Sequence, residues 1–84
     1  MSKSNAKKVS GNIDIDLFAL LEDSSLLLQD DENIDERIWL DMSADCKEIG
    51  VFDDSGCCLN EFDAGDRIEW LKMYRYYGID LKAI

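Results

Sequence analysis

Residues 47–62 read KEIGVFDDSGCCLNEF, and how this stretch folds sets the architecture of the chain. Residues 47–53 and 57–62 have strand length and composition. Between them Asp54-Ser55-Gly56 makes a three-residue loop with glycine where a left-handed backbone is required, so the stretch predicts a β-hairpin. With that loop, Val51 faces Leu59 on one side of the sheet, and Phe52 faces Cys58 on the other with Phe62 further along. The hairpin is therefore apolar on both faces.

Working outward, Ile38, Leu40, Met42 and Ala44 alternate with Trp39, Asp41, Ser43 and Asp45, which predicts a strand preceding the hairpin and a three-stranded antiparallel meander. Trp39 joins either surface depending on register. Downstream, Ile68, Trp70, Leu71, Met73, Tyr74 and Tyr77 form a wide apolar band over residues 64–77, a helix capped by Asp63 with Asp66 three residues on. Gly78 ends that helix, and Ile79 is placed to pack back on Tyr74 as in a Schellman ending. Residues 79–84 read as an edge strand or a short coil.

Upstream, residues 13–23 read two ways. Ile13, Ile15 and Leu17 alternate with Asp14 and Asp16 as in a strand, while Ile13, Leu17, Leu20 and Leu21 share one face of a helix capped by Asn12. The helix, ending at Asp23, is favoured. Ser24 and Ser25 break the pattern, residues 26–28 read as a short strand or the end of the helix, and residues 29–33 as an acidic loop. Residues 1–12 are polar and carry lysines, which predicts a flexible basic tail before a single small domain over 13–84. The expected fold is α+β: a three-stranded antiparallel β-meander packed against a C-terminal helix, with an additional N-terminal helix.

With 84 residues, 46% of them hydrophobic and eight aromatic, the chain can build one core. Its longest apolar runs, at 18–21 and 26–28, fall far short of the roughly 20 residues a membrane helix needs. Lys3, Lys7 and Lys8 lead into Ser10, Gly11 and Asn12 and not into an apolar signal region. A soluble cytoplasmic protein is expected. The odd set Cys46, Cys57 and Cys58 suits reduced thiols in small, buried or half-buried strand positions.

The net charge of −10 is unevenly spread. Residues 1–12 carry three lysines and no acid; residues 13–66 carry 17 acids against Arg37 and Lys47; residues 67–84 carry four bases against Glu69 and Asp80. Such a field repels nucleic acid and anionic membranes and speeds encounter with basic surfaces. Neither direct nucleic-acid binding nor membrane binding is expected.

The chain has no histidine, which removes the usual general base, Ser-His and Cys-His nucleophiles and histidine metal ligation. No phosphate-cradling glycine motif occurs. The acids at 30–36 lack EF-hand spacing, and Cys57-Cys58 is an adjacent pair and not a zinc-type CxxC. No enzyme, cofactor or metal site is expected.

What remains is binding. The expected function is a small acidic inhibitor that docks a basic, nucleic-acid-binding protein surface, with carboxylates imitating part of the charge array of duplex DNA. The expected partner-binding residues are Asp30, Asp31, Glu32, Asp35, Glu36, Asp41, Asp45, Asp53 and Asp54, with a secondary apolar interface of Trp39, Phe52, Phe62 and an exposed Tyr76. In size and charge the chain is similar to small phage-encoded anti-CRISPR and anti-restriction proteins, a likeness that carries no shared motif. The alternatives are an antitoxin or immunity protein that neutralises a basic nuclease toxin, and a structural homo-oligomer, such as a homodimer. The latter would hide the Phe52, Cys58 and Phe62 face, unless residues 13–28 cover it within the chain.

Overall fold

A computed structural model of the protein describes residues 7–23, 25–31 and 36–82. The hairpin forms around Gly56, whose φ of 92° is the left-handed turn position the sequence requires. Its strands are β3 (Glu48–Asp53) and β4 (Cys58–Asp63). Before it come α1 (Ile13–Asp23), β1 (Ser25–Asp31) and β2 (Glu36–Met42), and after it α2 (Arg67–Tyr76). The α+β class and the antiparallel sheet agree with expectation, but the sheet has four strands, ordered β1-β2-β3-β4, and not three.

The additional strand is β1, which takes in residues 26–28, read as either a short strand or the end of the helix, and part of the stretch read as an acidic loop. Leu26 opposes Leu40 and Leu27 opposes Trp39, but the register then slips so that Gln29 opposes Ile38 and Leu28 is left over as a bulge. Leu26, Leu27 and Leu28 are consequently all buried, and no alternation marks the strand in the sequence. A second bulge lies in β4. Phe52 opposes Cys58 as expected, but Val51 opposes Asn60 and Leu59 is the extra residue, which corrects the Val51–Leu59 pairing.

That one-residue slip carries Phe62 to the other side of the sheet. Phe62 opposes Ile49, is buried, and meets Trp70 edge to face with ring centroids 5.7 Å apart. It belongs to the core, together with Leu40, Val51 and the helical residues Leu20 and Tyr74. Both helices contribute to this one cluster, so the opposite sheet face, carrying Trp39 and Phe52, is left to solvent by α1 and α2.

α2 starts later than its apolar band suggests. Asp66 is the N-cap, accepting the Glu69 N–H, while Asp63 accepts the Gly65 N–H in the preceding turn and Trp70 Nε1 donates to the Ala64 carbonyl at 2.9 Å. At the other end Gly78 has φ 69°, its N–H donates to the Arg75 carbonyl and the Ile79 N–H to that of Tyr74, the two bonds of a Schellman ending. α1 is capped as expected, with Asn12 Oδ1 accepting the Ile15 N–H.

The inner face of α1 departs from expectation. Leu21 is exposed, and the third buried residue beside Ile13 and Leu20 is Asp16, 2% exposed. Its Oδ1 accepts from the Ser10 N–H and hydroxyl at 2.8 and 2.9 Å, and its Oδ2 from the Gly11 N–H at 3.2 Å and the Tyr74 hydroxyl. Every oxygen of the buried carboxyl is thus satisfied. Burial, then the hydrogen bond and charge of Asp16, push the Tyr74 hydroxyl well above its ordinary pKa, so it remains a donor.

The described part of the expected tail is therefore structural. Val9 joins the core, and Gly11 and Asn12 are buried. Gly11, at φ 89°, lies so close to the C-terminal segment that an added Cβ would sit 2.0 Å from the Asp80 carbonyl oxygen, and the Lys82 N–H donates to the Gly11 carbonyl. The C-terminal segment, through Lys82, is coil held against the start of α1.

Asp16→Ala should cost about 3 kcal/mol, because it leaves buried donors from three residues unpaired, and Tyr74→Phe about 1 to 2 kcal/mol. Urea unfolding of both variants and of the double variant checks this; the two losses should be sub-additive, since the residues share one bond.

Candidate functional site

The outer face of the sheet is built by alternation. Arg37, Trp39 and Asp41 of β2 point away from the core, as do Glu48, Gly50 and Phe52 of β3 and Glu61 and Asp63 of β4. Trp39 and Phe52 are directly opposite one another across β2 and β3. The Phe52 ring lies over Gly50: a Cβ there would come within 2.5 Å of Phe52 Cε1. Glycine in mid-strand is thereby explained, since it is the space the ring occupies.

Asp54, in the β3–β4 turn, clamps this surface. Its Oδ2 accepts from Arg37 Nε at 3.2 Å and Nη2 at 3.0 Å, and its Oδ1 from Trp39 Nε1 at 3.2 Å. One carboxylate therefore sets the position of the indole and neutralises the guanidinium. Two shallow depressions adjoin: Trp39, Asp53, Asp54 and Ser25 line one, and Glu48, Gly50, Glu61 and Ser43 the other, with Asp41 and Phe52 lining both.

Two of the acids also build turns. Asp53 Oδ1 accepts from the Ser55 hydroxyl at 2.7 Å and from the Ser55 and Cys57 N–H groups, each at 2.9 Å. Asp45 Oδ1 accepts from the Ser43 hydroxyl at 2.6 Å and the Lys47 N–H at 3.1 Å. These bonds, the serine hydroxyl foremost in each case, hold both carboxyls below their ordinary pKa.

Of the residues singled out in the sequence, the structure brings together Asp41, Asp53, Asp54, Trp39 and Phe52. Asp30 is exposed and opposite Arg37, at the same end of the sheet as Asp54. Asp45 lies at the other end, in the β2–β3 turn. Asp31 and Glu36 terminate β1 and β2 opposite one another, with side chains outside the described residues, and Glu32 and Asp35 lie wholly outside them. Phe62 is buried in the core and does not lie on the outer face. Tyr76 is 81% exposed, but on α2 and not on this face.

Glu48 and Glu61 complete the acidic face and were not singled out. Glu48 follows from alternation with Phe52 along β3, and Glu61 follows once the Val51–Asn60 pairing is known. The cysteines differ from expectation in burial, for Cys46, Cys57 and Cys58 are exposed and not buried or half-buried. Among the described residues no group of three or more acids and cysteines is placed to hold a metal ion, and no helix is long and apolar enough to cross a membrane. Comparison of the chain with protein-family models, with curated proteins and with solved structures finds no match.

The lowered pKa of Asp53 has a definite sign. Its contribution to the hairpin is present above the unfolded-state value and is lost as pH falls through the lower folded-state value, below about pH 4. Amide exchange of Ser55 and Cys57 should accelerate relative to the strands on acidification, and Asp53→Asn should remove most of that pH dependence.

Proposed function

We propose that the protein is an inhibitor that docks the outer face of its sheet onto a basic surface of a nucleic-acid-binding protein and so excludes the nucleic acid. The observation that carries this reading is the grouping of Asp41, Glu48, Asp53, Asp54 and Glu61 around the half-buried rings of Trp39 and Phe52. Arg37 is the one basic residue within the four strands, and Asp54 already neutralises it. The face thus offers ordered negative charge on a rigid sheet, with two aromatic anchors at its centre. Charge of this kind raises the association rate and rejects acidic competitors, while buried rings lower the dissociation rate.

Duplex DNA presents one charge per about 1.7 Å of axis, and a basic groove evolved for it would also accept carboxylates. An antitoxin acting on a nuclease would use the same face. The identity of the captured protein separates the two roles.

The test is affinity capture from host lysate at low and then high salt, followed by kinetics on the recovered protein. Combined Asp41→Asn, Glu48→Gln and Glu61→Gln should slow association about tenfold and flatten its salt dependence, while Trp39→Ala should mainly speed dissociation. Capture indifferent to both salt and the triple variant would remove the proposal.

A second reading, self-association as a structural subunit, is favoured by the helical layer. Ile15, Phe18 and Leu21 form an exposed stripe along α1, and Asp14 of that helix bonds Arg67 of α2, next to exposed Ile68 and Leu71. On this reading sedimentation at high micromolar concentration gives a dimer that Phe18→Glu dissociates; a strict monomer excludes it.

A further inference from the structure

The two edges of the sheet are treated differently. The outer edge of β1 is partly covered, for the Val9 N–H donates to the Leu27 carbonyl at 3.0 Å and the Leu27 N–H to the Lys7 carbonyl at 2.8 Å, a parallel bridge made by residues 7–9. Among the described residues no strand pairs with the outer edge of β4.

The phase of that open edge follows from one bond. The Ala64 N–H donates to the Lys47 carbonyl at 2.8 Å, which makes Phe62 and Asn60 the next residues whose backbone groups turn toward β3. Glu61 therefore directs both N–H and C=O outward, and Asp63 its N–H, while the Asp63 carbonyl accepts the Asp66 N–H at 2.9 Å in the turn that leads to α2. Their side chains stand on the acidic outer face. On the opposite side, Leu59 and Asn60 form with Met73, Tyr76 and Tyr77 of the α2 end a groove along the same edge, with the paired Lys72 and Glu69 also on its wall.

A strand laid along β4 would have two different neighbours. Alternate side chains would fall beside Glu61 and Asp63, and the intervening ones would enter the groove beneath Tyr76 and Leu59. A second copy of β4 is disfavoured, because antiparallel pairing would set Glu61 and Asp63 against their own copies, like charges across a ladder. The same charges favour a cationic strand.

We propose that β4 binds an extended segment of a partner protein in which basic and apolar residues alternate, by adding it to the sheet as a fifth strand. This rests on the docking reading above and names the kind of segment that the acidic face receives. The backbone of Glu61 and Asp63 fixes the register, their carboxylates select cations, and the groove selects apolar side chains at every second position.

The probe is a blocked hexapeptide, acetylated and amidated at its ends, in which lysine and valine alternate. It is compared with a blocked hexapeptide of identical composition in which all the lysines precede all the valines, and with the alternating peptide N-methylated at every second residue to remove the edge-facing donors. The alternating peptide should bind at least about tenfold more tightly than either control, a difference of about 1.4 kcal/mol, and should slow amide exchange at Glu61 and Asp63. Equal, salt-sensitive binding of all three without protection of those amides would overturn strand addition and leave charge-driven docking standing. Failure of every peptide to bind at low salt would overturn both.

Discussion

Asp16 is the point on which the molecule closes. A carboxyl buried in the core of so small a domain is costly unless donors surround it, and here the donors come from residues 10 and 11 and from Tyr74. The group thus ties the segment before α1, α1 itself and α2 into one arrangement. Both helices are held on a single face of the sheet by it and by the Trp70 and Phe62 contact, and the other face is left uncovered by either helix.

The outer face owes its composition to two bulges as much as to the residues it displays. The extra residue at Leu28 lets β1 bury three consecutive leucines while keeping Asp30 opposite Arg37. The extra residue at Leu59 sends Phe62 inward and brings Glu61 opposite Gly50, beside the Phe52 ring. Without that second slip the outer surface would be an apolar sheet face in search of a cover. With it, the face is two rings bordered by carboxylates.

What was legible in the sequence was local. The Asp54-Ser55-Gly56 loop, the Asn12 cap, the Gly78 ending and the alternation of Ile38, Leu40 and Met42 each depend on neighbours in the chain and are found in the structure, although the alternation stops short of Ala44, which lies exposed in the β2–β3 turn. What was hidden depends on partners far away. Leu26 to Leu28 lack alternation because of a bulge, Val9 looks peripheral until the core around it is assembled, and Phe62 changes face through a slip no composition reveals. Asp16 shares the helical face of Ile13 and Leu20, but a charged residue at that position reads as an interruption until Tyr74, 58 residues on, is seen beside it. The acidic character of the candidate site was legible from charge alone, whereas its grouping around Trp39 and Phe52 required register.

The connectivity of the sheet bears on the order of folding. Each strand pairs with its neighbour in sequence, so the meander assembles from short loops with small closure entropy, and such topologies fold quickly. The clasp between the two ends of the chain joins Asp16 to Tyr74 and Gly11 to Lys82, and is the longest loop to close. The terminal clasp is thus the natural unit of partial unfolding. Its opening would expose Val9, Leu20 and Tyr74 while leaving intact the hairpin that carries Asp53, Asp54 and Phe52, so the β3–β4 part of the proposed docking face keeps its shape when the two ends come apart.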